Sequence, residues 1–353
     1  MNKRWLLVVR IMLIGAIYLS MIGFIKPEEP AAAQALKPFT LKATVMGQPG
    51  EEFTVYTWQE GVLKSIELIT NGRCKVEVFY GDTVHSWKDS LQATESGMTD
   101  LTMLWNPILP GRFPLHDLWS LPGLMPNQMT SDAVMIEIIS KYPQFVKQYP
   151  NTIVPLSYQT HMRANLHTNV PIRSIAELKG KTIACQNDAG AKMMSILGAG
   201  TTVVVGPDAY QMAQTKVVQG IFTAWGWVKH FKLKEVAPYT TWLNLSPGSS
   251  TFIMNKKTFD KFTKQEQEML KRLVFYRGRF WDLPRHNVYS AKKSMEGLKP
   301  DTFFSLPDED YEKMKKLFEP QWEAWAKRME GLGYPGRAIL EDTKEWIRLY
   351  EVN

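Results

Sequence analysis

Two tryptophans stand where predicted β-strands end. Trp105 follows the apolar run Asp100-Leu101-Thr102-Met103-Leu104, and Trp225 follows Gly220-Ile221-Phe222-Thr223 after one alanine. Open α/β sheets bind ligands beyond the carboxyl ends of their strands, so these positions, with those just after Ile183 and Phe222, are the first candidates for a site. An indole there either packs or receives the apolar body of a ligand. Other constellations lead elsewhere. Gly180-Lys181-Thr182 ends like a phosphate loop, but position 175 is Ile where that loop needs Gly. Gly198-Ala199-Gly200 lacks the third glycine of a dinucleotide fingerprint and follows a predicted helix, which makes it a turn. His161 and His167 have no carboxylate or third ligand nearby in sequence, so no metal site is expected. Cys185 lies in an apolar run without an activating charge and reads as core. Ser290-Ala291-Lys292-Lys293 matches a serine-hydrolase spacing alone and reads as a solvated helix face. No catalytic residue, metal ligand or cofactor is expected.

The elements that position these residues alternate in type. Within 179–228, strands at Thr182–Cys185, Thr202–Val205 and Gly220–Thr223 are separated by helical segments, the second of which carries Tyr210. This pattern predicts a parallel sheet with right-handed crossovers. The same order occurs earlier: strand Phe39–Val45, turn Met46–Gly50, a helix from about Glu52 stopped by Asn71-Gly72, strand Cys74–Phe79, a helical stretch near Trp87–Ser96 ending at Gly97, then strand Asp100–Leu104. Two such units predict two lobes and a cleft. Ser131–Lys147 reads as a helix, Thr152–Tyr158 as a strand and Thr160–Thr168 as extended. Ser174–Leu178 is a short helix and Thr251–Asn255 another strand. Thr263-Lys264-Gln265-Glu266 has the form of a capping box and starts a helix running to Leu298, with a break at Pro284 and an end at Pro300. Helices at Asp308–Lys327 and Leu340–Tyr350 finish the chain.

With 353 residues, 44% hydrophobic and 22% charged, the chain is globular and long enough for two domains. Its first 35 residues differ: Asn2-Lys3-Arg4 is basic, Leu6–Ile25 is apolar, and Ala31-Ala32-Ala33-Gln34-Ala35 offers small-residue cleavage sites. That is the pattern of a signal peptide, with an uncleaved membrane anchor as the competing reading. Cleavage would remove four basic and two acidic residues, lowering the formal charge from +7 to +5. No Lys/Arg block tracks nucleic acid, and the mild excess suits an anionic small molecule. Cys74 and Cys185, both in strand-like apolar runs, read as buried free thiols.

Several runs, in this order and spacing, carry a family resemblance: Asn71-Gly72-Arg73-Cys74-Lys75-Val76-Glu77-Val78-Phe79, Ser96-Gly97-Met98-Thr99-Asp100-Leu101, Phe113-Pro114-Leu115 with Leu121-Pro122, Ser174-Ile175-Ala176-Glu177-Leu178-Lys179-Gly180-Lys181, and Tyr210 through Gly220. From about Phe39 to Lys327 the chain resembles the solute-binding proteins of tripartite ATP-independent periplasmic (TRAP) transporters, the dicarboxylate and sialic-acid receptor family. The resemblance implies an α/β, two-lobed periplasmic-binding-protein-like fold, with a long helix joining the lobes and a helical C-terminus. It also implies delivery of a bound solute to a membrane permease. An arginine that clamps the ligand carboxylate is usual after the Lys-Gly turn; Ala184 stands there. Gln219 replaces the usual Asp before Gly220, and Thr223 replaces a frequent Asn. A second family arginine matches Arg163.

The expected organisation is a signal peptide or anchor at 1–35, one α/β lobe at 36–160 with part of 247–275, and a second at 161–246. A long connecting helix is expected at 260–298, with C-terminal helices at 300–353 packing on the lobes. The expected function is a periplasmic, non-enzymatic receptor for a small organic acid, aromatic or otherwise bulky, partnered by a TRAP-type permease and by no nucleic acid. An enzyme on the same scaffold and a membrane-tethered sensory domain are the alternatives. Arg163 is expected to hold the acidic group, with Trp105 and Trp225 flanking the apolar part beside Ala184. Tyr210, Thr223, Asn106 and Gln186 are lesser polar candidates.

Overall fold

The computed structural model describes residues 37–45, 54–161, 163–204, 206–245, 248–276, 291–293 and 295–351. The expected export segment at 1–35, the turn at Met46–Gly50 and the break at Pro284 lie outside these residues. In chain order, the first lobe contains β1 (Phe39–Val45), α1 (Thr54–Ile69), β2 (Cys74–Tyr80), α2 (Ser90–Ser96), β3 (Leu101–Trp105), α3 (Gln128–Lys141), α4 (Gln144–Lys147) and β4 (Ile153–Thr160). The chain crosses to a second sheet with β5 (Ala164–Thr168), β6 (Thr182–Cys185), α5 (Asp188–Ile196), β7 (Gly200–Val203), α6 (Pro207–Gln214), β8 (Gly220–Ala224), α7 (Trp225–His230) and β9 (Tyr239–Leu245). It returns with β10 (Ser249–Asn255), α8 (Lys256–Phe259) and α9 (Lys264–Tyr276), then adds β11 (Phe303–Ser305), α10 (Asp308–Gly331) and α11 (Gly336–Tyr350).

The sheets have orders β2-β1-β3-β10-β4 and β11-β9-β5-β8-β6-β7. In each, three strands alternating with helices are parallel: β1 with β2 and β3, and β6 with β7 and β8. The parallel pairing expected of the β-α-β units is thus present, while each sheet as a whole is mixed, because β10 runs antiparallel to β3 and β4, and β5 to β8 and β9. Strands β5 and β10 arrive from the other sheet and not over a crossover helix, so nothing obliges them to run parallel. Local signals act where they were expected. Asn71 and Gly72, with φ of 50° and 77°, end α1. The capping box closes both ways: Thr263 N donates to Glu266 Oε2 at 2.7 Å, and Glu266 N to Thr263 Oγ1 at 3.2 Å.

One core lies between the first sheet, α1 and α9, built on Leu41, Val62, Ile66, Met103 and Phe252. Another gathers α3, α10 and α11 around Trp119, Met135 and Leu340. The second sheet has a core on each face, one including Leu166, Ile183 and Phe222, the other Ala184, Ile221 and Trp225. Helix α10 belongs to two of these. Met314 and Phe318 enter the second sheet's core, and four residues on, Trp322, Trp325 and Met329 enter the core under α3. Among the described residues, α10 is the helix whose buried stripe reaches both lobes; of the connecting helix expected at 260–298, the part described is chiefly α9, on the first sheet's core. Pro320 sits inside α10, exposed, between Phe318 and Trp322.

Phe318 is fully buried, and a Cβ added at Gly123 would meet its ring at 3.0 Å. Phe318→Ala is expected to cost about 3–5 kcal/mol of folding stability, read as a lower urea midpoint.

Candidate functional site

The buried cation comes first. Arg163 lies between β4 and β5, at the crossing from one sheet to the other. Its Nη2 donates to Ser131 Oγ at 2.6 Å, and Ser131 Oγ donates to the Asn127 carbonyl. These residues open α3, which Asn127 caps by accepting from Thr130 N at 2.9 Å. Arg163 Nε and Nη1 are buried and meet no acceptor among the described residues. Neighbouring Asp132 accepts from Thr160 N at 2.7 Å and Thr160 Oγ1 at 2.8 Å. Burial pushes the Arg163 guanidinium down to about 10, with the Asp132 charge opposing the shift, so it remains a cation at neutral pH. A buried guanidinium with open donors calls for an anion, most of all a planar carboxylate.

A row of aromatic rings starts at the end of β3. Trp105 ends β3, is 3% exposed, and lies 5.7 Å from the His161 ring and 6.1 Å, edge-on, from Trp87. Trp87 in turn lies 5.7 Å from Trp227 of α7, which stacks on Phe231 at 5.1 Å. The row therefore passes from the end of β3 in one lobe to the helix after β8 in the other. His161 precedes Arg163 by two residues, a Cα span of at most about 7 Å, so the ring that meets Trp105 and the residue that carries the guanidinium belong to one short segment of chain. Ring nitrogen Nε2 of His161 meets Ser250 Oγ, and burial holds the imidazole down to about 4. It is neutral at physiological pH.

The remaining candidates divide. Thr223 pairs with Asn165 next to the Ala164–Ala224 pair, one strand over from the start of β5, and its Oγ1 is buried and unpartnered. Gln186 is half-buried between β6 and Asn187, the cap of α5. Asn106 is engaged within the protein: its Nδ2 donates to Tyr149 OH at 3.1 Å, and its Oδ1 accepts from Thr251 at 3.1 Å and Ser249 at 3.4 Å. That amide is consumed in a buried network. The Tyr210 hydroxyl donates to Glu235 at 3.1 Å on the protein surface. Trp225 does not face Trp105; its ring lies 4.8 Å from His167, 5.6 Å from Trp242 and 6.1 Å from Phe303. It shares a core with Ala184, so the alanine is covered by packing and not left open to a ligand.

The reason is helical phase. Chain direction turns from strand to helix at Trp225, and two helical residues rotate by roughly 200°, so Trp225 and Trp227 point to opposite sides. Trp227 is the residue that reaches the other lobe. Sequence reasoning also missed Trp87, His161 and Ser131. Trp87 follows the end of β2 just as Trp105 follows β3, a signal the strand-end rule already contains. A separate cleft of about 400 Å³ opens between the loop after β3, the start of α5 and α10, lined by Ser120, Asp188, Lys192 and Trp325. There Arg328 is occupied by Asp117 at 2.6 Å.

Cys74 and Cys185 are free and buried, and desolvation pushes both thiols up to about 12, so neither is a thiolate nucleophile at neutral pH. Among the described residues, no three His, Cys, Asp or Glu side chains gather to hold a metal ion. Burial also lowers His116 to about 3 and His167 to about 4. An unfolded chain protonates these imidazoles near their ordinary value of 6.5, whereas the folded chain does not. Stability is thus greatest above 6.5 and is lost as pH falls toward 4, by up to roughly 1.4 kcal/mol per histidine per pH unit. Urea midpoints between pH 7 and 4.5 are expected to fall throughout that window; a flat profile would contradict the neutral, buried state of these rings.

A model of the bacterial extracellular solute-binding proteins, family 7, matches residues 48–328. The uncharacterized protein YiiZ of Salmonella typhimurium is 20% identical over 261 residues, covering 71% of this chain and 78% of YiiZ. A TRAP solute-binding protein of a marine metagenome microbe, specific for aromatic acid ligands and solved with 3-hydroxybenzoate, is similar in structure with a TM-score of 0.77 at 19% identity, over 90% of this chain and 100% of its own. A TRAP periplasmic solute-binding protein of Bordetella bronchiseptica, with bound (R)- and (S)-mandelate, gives a TM-score of 0.77 at 20% identity over 89% and 100%. At such identities the structural likeness is one of fold. No helix among the described residues is long and apolar enough to cross a membrane. With its match running through both lobes, the chain belongs to the TRAP-type extracellular solute-binding proteins of family 7.

Proposed function

We propose that this protein captures a small aromatic carboxylate between its lobes and delivers it to the membrane permease of a TRAP-type secondary transporter. The observation that carries the reading is Arg163: a buried cation, fastened at Nη2 by Ser131, with Nε and Nη1 lacking an acceptor among the described residues, two residues beyond the His161 whose ring meets Trp105. A ligand carboxylate would accept from those donors and neutralise the charge, while its ring lies against indole surface. Binding would bring the guanidinium the counter-charge that its surroundings supply only through Asp132, one residue along α3 from its serine anchor. The aromatic acids held by the two similar receptors agree with this chemistry. Thr223 and Gln186 are the remaining polar groups offered to the ligand.

A charge-assisted pair of this kind contributes about 1.5–3 kcal/mol. Arg163→Met is accordingly expected to weaken benzoate or 3-hydroxybenzoate at least tenfold by calorimetry; an unchanged dissociation constant would remove Arg163 from the site. We further propose that the protein is exported to the periplasm with residues 1–35 acting as a signal peptide. Intact mass of the protein recovered from the periplasm is expected to show cleavage near Ala33 or Ala35, and retention of the full mass would favour the anchored form.

A further inference from the structure

On one face of the first sheet, Trp105, Ser250 and Gln159 stand side by side, because Ser250 pairs with Trp105 on β3 and with Gln159 on β4. Paired residues of neighbouring strands project to the same face. Ser250 in the middle has its hydroxyl engaged by His161. The two flanking side chains are buried, and among the described residues each lacks a partner of the opposite kind: Trp105 Nε1 has no acceptor and Gln159 Oε1 has no donor. An indole N–H only donates and an amide oxygen only accepts, so neither deficit can be met by the group's own adjustment.

Gln159 also reaches toward β3. Its Nε2 donates to Met103 Sδ at 3.6 Å, and Met103 is two residues before Trp105 on the same face. The amide thus spans β10 and ends beside the strand that carries the indole. A donor in need of an acceptor and an acceptor in need of a donor, both out of water, are satisfied together by a hydroxyl, which accepts through its lone pairs while donating its single hydrogen. Sites built to hydrogen-bond a hydroxyl discriminate strongly against the analogue without it, because the buried partners are then left unpaired.

Resting on the reading of the site as one for aromatic acids, we infer that the ligand is a hydroxylated aromatic acid whose hydroxyl sits between Trp105 Nε1 and Gln159 Oε1 while its carboxylate is held by Arg163. Gln159, together with the indole nitrogen of Trp105, is then a specificity-determining group, distinct from the cation that provides general affinity for carboxylates. Both ring-hydroxylated and α-hydroxylated acids satisfy this description, and the choice between them depends on which hydroxyl spans the gap.

Calorimetric titration of the wild-type protein with matched pairs tests it: benzoate against 2-, 3- and 4-hydroxybenzoate, and phenylacetate against each mandelate enantiomer. At least one hydroxy acid is expected to bind ten times more tightly than its deoxy partner. Its methyl ether, which accepts but does not donate, is expected to lose most of that advantage. Trp105→Phe and Gln159→Leu should each reduce the hydroxy-to-deoxy ratio at least fivefold. Equal affinity within every pair in the wild type, or a ratio that survives both substitutions, overturns the inference. If in those cases the acids still bind and Arg163→Met still weakens them, the aromatic-acid reading stands without it. If no acid of the panel binds, both fall together.

Discussion

The crossing of the chain from the first sheet to the second is held by the opening turns of one helix. Asp132 of α3 takes the backbone N–H and the hydroxyl of Thr160, Gln128 donates to the Thr160 carbonyl at 3.2 Å, and Ser131 anchors Arg163 three residues later. The strand end, the crossing and the guanidinium are therefore positioned by consecutive residues at one helix start. Because hydrogen bonds to a carboxylate are stronger than neutral ones, the grip on Thr160 resists displacement of the segment that carries the charge. Placement of His161, and through it the ring contact with Trp105, follows from the same anchor.

Much of this architecture was legible in the sequence, since strand alternation, the Asn71-Gly72 stop and the capping box at Thr263 are local signals and act locally. The mixed direction of the sheets was not legible. Strands β5 and β10 look like any others in sequence, and their direction depends on which sheet the chain has just left. The same distinction divides the site. The position of Trp105 at the end of β3 was legible because the end of a strand is a local event. The hydrogen bonds of Asn106, the next residue, were not, because its partners Tyr149 and Thr251 lie 43 and 145 residues away.

The arginine missing at Ala184 has an equally physical account. A long cation absent from one strand leaves volume on that face, and the core there includes Trp225, packed against His167 and Trp242. What the face loses in charge it gains in apolar burial. The proposed site accordingly draws on the other wall, where Arg163 is the buried cation and Trp105 and Trp87 are the indoles. Trp227 continues that surface into the second lobe because the helix beginning at Trp225 turns the two tryptophans apart.

Helix α10 is a single rod anchored in two cores, by Phe318 on one side and Trp322 on the other, and Pro320 falls between the anchors. Proline brings no N–H to its turn, so the rod has one bond fewer at the point where its two attachments separate. Any swing of one lobe against the other must strain the rod, and compliance is greatest at that turn. A swing there would tilt the far half of the rod and carry α11, which packs on it, along with it.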